Sequence, residues 1–109
     1  MRATLKRLTM QANTFDGDDS AYLEWTRAHA DGFVLNRRRS GQTARYLVLH
    51  RATCDSITRS RSDEPGEFTE SEYVKVCAES LDALREYARA AGRTDGSFSL
   101  ICKRCKPMV

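Results

Sequence analysis

The chain has 109 residues, of which 40% are hydrophobic, and its 18 Lys and Arg side chains against 15 Asp and Glu give a formal net charge of +3. This length predicts one domain with a small core, and the mild charge permits nucleic-acid binding without requiring it. No stretch approaches the ~20 apolar residues of a membrane span, and the first residues carry no apolar run typical of a secretory signal. We therefore expect a cytoplasmic protein with reduced thiols and no membrane partner.

The first third of the chain predicts an arm followed by a helix. Residues 1–15 mix basic and apolar side chains and form the expected N-terminal arm. A helix is predicted over 20–30, because an acidic turn precedes it and Tyr22 and Trp25 fall on one helical face. Gly32 suits the left-handed position that ends a helix.

The rest of the chain predicts three strands and a second helix. Residues 32–36 and 45–50 have the apolar and β-branched content of strands, and the polar connection between them predicts an antiparallel hairpin. A third strand is expected over 73–77, and a helix that Ser80 caps is expected to run to Ala91. The sequence thus predicts a single α+β domain over 1–109, with a small three-stranded antiparallel sheet, two helices and one structural zinc site.

A split quartet of metal-type ligands is the most specific motif in the sequence. His50 and Cys54 have the spacing H-x3-C, and Cys102 and Cys105 have the spacing C-x2-C. Thiolate and neutral imidazole are the ligands that structural zinc prefers, and two short chelating pairs supply its four tetrahedral positions. The pattern therefore predicts Zn²⁺ as a structural cofactor, with no position left open for a substrate.

Other interpretations of these cysteines stay open at this point. Cys77 is a possible fourth ligand in place of His50, although its position on an alternating strand favours a core thiol. Cys102 and Cys105 also have the spacing of a redox pair, but no strand–turn–helix context accompanies them. The cysteines are also compatible with simple buried thiols.

The region 45–107 resembles a known family. The run His50-Arg-Ala-Thr-Cys54, an alanine-rich helix that ends in glycine, and the ending Cys102-x-x-Cys105-x-Pro107 look like the Ada-type zinc-binding fold. The wider pattern is similar to small actinobacterial proteins and to N-terminal domains of modification-dependent restriction endonucleases. The resemblance implies a zinc-stapled scaffold that acts beside nucleic acid, with a restriction or repair nuclease as a possible partner. It also implies a remoter role as an alkyl acceptor through Cys54, which a histidine ligand disfavours.

Basic residues form two groups in the sequence. One lies between residues 37 and 51, and the other consists of the C-terminal cations Lys103, Arg104 and Lys106. If the four ligands meet, Arg51 must lie beside the C-terminal cations, and a shared basic surface is typical of phosphate binding. The sequence thus predicts DNA as a partner. The residues predicted to contact it are Arg37, Arg38, Arg39, Arg45, Arg51, Lys103, Arg104 and Lys106.

Two further predictions about function follow from the composition and the motifs. The acidic residues nearly balance the basic ones, so a protein–protein interaction module that uses the sheet face or the 60–72 loop is the alternative. No phosphate-binding glycine motif and no His-Glu-x-x-His signature is present. We therefore expect a protein that is not an enzyme.

Overall fold

The structure is a computed structural model that describes residues 11–61 and 65–108. It is an α+β fold, as the sequence predicts. A single 3-10 turn, Thr43–Arg45, lies between the second and third strands. In chain order the strands and α-helices are β1 (Asn13–Phe15), α1 (Asp19–Ala28), β2 (Phe33–Arg38), β3 (Leu47–Arg51), β4 (Tyr73–Ala78), α2 (Leu81–Ala90) and β5 (Leu100–Ile101).

The sheet corrects the predicted three-stranded antiparallel arrangement. It has five strands in the order β1-β4-β2-β3-β5. The three predicted strands form its centre, and β2 pairs antiparallel with both β3 and β4. At one edge β1 pairs antiparallel with β4, and at the other β5 pairs parallel with β3, so the sheet is mixed.

The two edge strands are too short to show a pattern in the sequence. β1 has three residues and lies in the predicted N-terminal arm, of which residues 1–10 are outside the described part. β5 has only two residues. It is defined by its pairing, with Leu100 beside Val48 and Ile101 beside Leu49. A period of two needs about four residues to become visible, so neither edge was predictable from alternation.

Each helix begins with a capping side chain, of which Ser80 was predicted and Asp18 lies in the predicted acidic turn. The Asp18 side chain accepts from the backbone N–H of Ala21, and the Ser80 side chain accepts from that of Ala83. Each α-helix has ten residues, and no helix in the described ranges is long and apolar enough to cross a bilayer.

Gly32 does not end α1 in the left-handed conformation that the sequence suggests. Its φ is not positive, and α1 ends at Ala28 with His29 as the cap. A Cβ at Gly32 would instead meet Trp25 Cη2 at 2.8 Å and the carbonyl of Ala78 at 3.1 Å. Glycine is needed here because helix and sheet approach each other closely.

The two helices cover opposite faces of the sheet. The face beneath α1 forms a core that includes Tyr22, Val34 and Cys77. The face beneath α2 forms a second core that includes Leu35, Leu49 and Leu84. The metal-type ligands border the first core, since Cys54 belongs to it and Cys102 and Cys105 pack against it.

Candidate metal centre and basic surfaces

The four predicted ligands meet at one point. One donor atom from each of His50, Cys54, Cys102 and Cys105 lies within 4.8 Å of the others. The Sγ atoms of Cys54 and Cys102 are 3.9 Å apart. The prediction that the quartet closes is confirmed, and the arrangement could hold a metal ion.

The first pair is positioned by β3 and the turn that follows it. His50 lies in β3 and is opposite Val34 of β2, on the sheet face that α1 covers. The chain then turns, because the Cys54 N–H donates to the carbonyl of Arg51 at 3.0 Å. The Ala52 N–H fixes this turn to the start of β2 by donating to the carbonyl of Gly32, the residue before Phe33, at 2.9 Å.

The second pair is positioned by β5. The backbone N–H of Cys102 donates to the carbonyl of Leu49 at 2.9 Å, which extends the parallel pairing up to the first thiol. The next residues form a turn in which the Lys106 N–H donates to the carbonyl of Cys102 at 3.1 Å. Lys106 has a φ of 47°, a left-handed conformation that is costly for a residue with a Cβ. This turn brings Cys105 back beside Cys102.

Arg51 joins the two halves of the centre. Its backbone N–H donates to Cys105 Sγ at 3.2 Å, and its Nε donates to the Cys105 carbonyl at 2.8 Å. A second guanidinium nitrogen donates to the carbonyl of Lys106 at 2.9 Å. Arg51 was predicted as a DNA contact, whereas its guanidinium here faces the backbone of the ligand loop.

The local electrostatics suit a metal ligand at His50. Burial, with a smaller contribution from the charge of Lys75, lowers the pKa of His50 to about 4. The imidazole is therefore neutral at physiological pH, which is the form that coordinates a metal.

The C-terminal thiols differ from each other. Burial tends to raise the pKa of Cys102, but hydrogen bonds from the backbone of Cys105 and Arg104 outweigh it and lower that pKa. Burial raises the pKa of Cys105 to about 12 despite the N–H of Arg51. Hydrogen bonds from backbone N–H groups favour the thiolate that a metal needs.

Cys77 is not one of the four close donors. It lies in β4 with no exposed surface, opposite Val34 in β2 and Asn13 in β1. Burial raises the pKa of its thiol well above the ordinary value. These surroundings are those of a core thiol, as the sequence favours.

Two residues around the centre were missed in the sequence. Ser56 Oγ lies 3.0 Å from Cys54 Sγ and 3.5 Å from His50 Nδ1, so it borders both ligands of the first pair. Asp55 forms a bidentate pair with Arg104 on the surface. The only sequence signal for both was their place within two residues of Cys54.

The predicted basic residues lie at two ends of the sheet. Arg51 and the C-terminal cations are at the metal end of β3. Arg37 and Arg38 end β2, and Arg45 precedes β3, so they lie at the opposite end. The length of β3, about 16 Å for five residues, separates the ends. The eight residues therefore do not form one continuous patch.

Three of the eight predicted contacts are engaged within the protein. Arg51 holds the ligand loop, Arg104 pairs with Asp55, and Arg39 pairs with Asp16 while donating to the carbonyls of Thr69 and Ser71. Among the residues described, no carboxylate partner is found for the remaining five. These are Arg37, Arg38, Arg45, Lys103 and Lys106.

Comparison with known proteins adds nothing to the geometry: no protein-family model, no curated protein and no solved structure matches this chain.

Proposed function

We propose that the quartet of His50, Cys54, Cys102 and Cys105 binds one structural zinc ion and that the domain it fastens binds DNA. The donor set supports zinc, because three thiols and an imidazole are a common structural zinc set and disfavour magnesium or calcium. Zinc–sulfur bonds of ~2.3 Å in a tetrahedron separate two sulfurs by about 3.8 Å. The observed 3.9 Å between the Sγ atoms of Cys54 and Cys102 fits this value.

A structural rather than catalytic role follows from the number of ligands. Four protein donors complete a tetrahedral shell, whereas catalytic zinc keeps one position for water or substrate. The pairs are also far apart in the sequence, since Cys54 and Cys102 are 48 residues apart. A bound ion would therefore fasten the end of β3 to the end of β5.

One observation carries the proposal of DNA binding: Arg37, Arg38 and Arg45, at the end of the β2–β3 hairpin, have no carboxylate partner within residues 11–61 and 65–108. Arg38 and Arg45 are exposed, and Arg37 lies beside them with its Nε buried and without a hydrogen-bond partner in the described residues. Guanidinium groups whose charge no carboxylate neutralises are suited to contact phosphates. The hairpin end therefore replaces the metal end as the main contact surface.

Titrations with DNA at several salt concentrations test this proposal. Single- and double-stranded DNA of equal length should bind at low salt and weaken as salt rises. The double variant Arg38→Gln/Arg45→Gln should bind more weakly and reduce the salt slope by roughly two counterions. The charge-matched double variant Lys103→Gln/Lys106→Gln should change little, because these cations lie at the other end of β3. Failure of the wild-type protein to bind any DNA at low salt would refute the proposal.

A second candidate, a protein-interaction module, is favoured by the edge at β5. Within 11–61 and 65–108, the large apolar side chains that are exposed are Leu100, Ile101 and Met108. The outer edge of β5 has no strand partner in this part, and Lys103 and Lys106 lie close in sequence. By charge complementarity the fitting occupant is an extended acidic peptide of a partner. Selection from a random peptide library should enrich such sequences on the wild-type protein but not on Leu100→Glu.

A further inference from the structure

The sheet face that α1 covers carries an uncovered row of side chains at the hairpin end. The row consists of Tyr73 from β4, Arg38 from β2 and Tyr46, which directly precedes β3. Arg38 is opposite Tyr73 in the register. Arg37 is opposite Leu47 in an antiparallel pair, so the adjoining residues Arg38 and Tyr46 are also neighbours. We call these three side chains the Tyr46 platform.

The three groups of the Tyr46 platform are in close contact. The ring centroids of Tyr46 and Tyr73 are 5.7 Å apart with an angle of 39° between the planes. The Cζ of Arg38 lies 5.1 Å from the centre of the Tyr46 ring. Arg38 is exposed and both tyrosines are partly exposed, so the platform is open to solvent.

The next row of the same face holds the platform in place. Asn36 and Lys75 are opposite each other, and Lys75 Nζ donates to Asn36 Oδ1 at 2.8 Å and to the carbonyl of Phe68 at 2.8 Å. Lys75 Nζ also lies 5.8 Å from the centre of the Tyr73 ring. Beyond this row the face is buried beneath α1. The platform therefore stands at the border between the closed core and an open sheet surface.

We propose that the Tyr46 platform binds unpaired nucleobases of single-stranded DNA, with the adjacent arginines on the flanking phosphates. This proposal rests on the proposed function and specifies its substrate. Aromatic side chains on an open sheet face offer flat surfaces on which successive bases stack, and nearby arginines neutralise the backbone. The faces of bases inside a duplex are already covered by their neighbours, so stacking of this kind selects unpaired strands.

Three labelled probes of equal length test the proposal by fluorescence anisotropy. They are an oligothymidine of about twelve nucleotides, within the ~4–16 that a small single-strand binding domain covers, an abasic strand with the same phosphates, and a duplex. The wild-type protein should bind oligothymidine about 5- to 150-fold more tightly than the abasic strand, which is the contribution expected from stacking of one base. Tyr46→Leu should lower affinity for oligothymidine towards that for the abasic strand, whereas Tyr46→Phe keeps the ring and should retain binding.

The outcomes separate this proposal from the broader one. Equal binding of the oligothymidine and the abasic strand, or tighter binding of the duplex, overturns base stacking while DNA binding stands. No binding of any probe overturns both proposals. Thermal unfolding of Tyr46→Leu and Tyr46→Phe shows whether both variants are folded. If Tyr46→Leu is unfolded, the test of base stacking is the ratio of the wild-type protein's affinities for the oligothymidine and the abasic strand.

Discussion

Arg51 and Cys105 are joined by two hydrogen bonds, one from the Arg51 backbone to the thiol sulfur and one from its guanidinium to the Cys105 carbonyl. Arg51 directly follows His50 in the sequence, so a residue next to one ligand holds the loop of another. The two chelating pairs are thus coupled by contacts within the protein itself. Such partners around a ligand orient it and tune its affinity.

Substitution of Arg51 should weaken metal binding without removing a ligand. Arg51→Met keeps the backbone N–H that faces Cys105 but loses the guanidinium contacts to the carbonyls of Cys105 and Lys106. We expect zinc affinity to fall about 10- to 100-fold. Competition with a chromophoric chelator measures this change. Arg45→Met, at the other end of the sheet, is the matched control and should bind zinc as the wild type does. Equal zinc affinity of both variants would show that the guanidinium contacts of Arg51 are not needed for metal binding.

Removal of a C-terminal thiol should release the metal and unfold much of the domain. Structural zinc contributes apparent free energy of about 10–16 kcal/mol in small finger peptides, more than most small domains have as net stability. Cys102→Ser and Cys105→Ser should therefore contain less than one equivalent of zinc by elemental analysis and lose cooperative unfolding. Cys77→Ala, which alters a buried thiol outside the quartet, should keep a full equivalent. Metal loss from Cys77→Ala alone would contradict the assignment of ligands.

The Tyr22 hydroxyl should stabilise the turn that carries Cys54. It donates to the carbonyl of Ile57 at 2.7 Å, and the pair is buried. Tyr22→Phe leaves that carbonyl without this donor, so the free energy of unfolding should fall by about 1–3 kcal/mol. Urea unfolding of the zinc-loaded protein measures the loss. Phe15→Leu changes a neighbouring ring without a hydrogen bond and is the packing control.

Lys75 should make the stability of the domain depend on pH. Burial lowers its pKa from 10.5 to about 8, although Asp19 attracts the ammonium. Between these values the unfolded chain binds the proton more fully than the folded protein does. The contribution of Lys75 to the free energy of unfolding should therefore rise as the pH increases from about 8 to about 10.5, by up to about 3 kcal/mol. The other titratable groups around it are Tyr22 from α1, Tyr73 and Cys77 from β4, and His50 from β3.

The variant Lys75→Met isolates this contribution. Its stability relative to the wild type should be greatest at pH 7 and should decrease towards pH 10, as the penalty for a buried ammonium disappears from the wild type. Urea unfolding at several pH values gives the difference, in which other titrations cancel. A difference that does not change with pH would mean that Lys75 titrates normally.

The sequence predicted the centre of the fold better than its edges. The helices and the strands β2, β3 and β4 are long enough to show periodicity, and Ser80 is a recognisable cap. β5 has no such pattern and is defined by its pairing with β3, directly before the C-x2-C loop. Its formation is a tertiary effect, which short-range patterns do not encode.

The ligands were predictable from the sequence, but the use of the arginines was not. Spacing and residue type identify the quartet, since few other roles need H-x3-C with C-x2-C. A guanidinium group, in contrast, serves equally well in a phosphate contact or a bond to a carbonyl. Arg39 and Arg51 turn inward because carbonyls from distant segments lie within reach, and only the fold reveals those segments.

The parallel pairing of β5 with β3 links the candidate metal centre to the tendency of the chain to self-associate. Leu47, Val48 and Leu49 are consecutive, and all three are buried. This side of β3 is covered by β5 and by Ser99, which bonds to the backbone of Leu47, and the ligand loop directly follows β5. Loss of the proposed ion would loosen β5 and expose part of the apolar edge of β3, and such an edge is a template for pairing with other chains. Removal of the proposed ion would then favour aggregation.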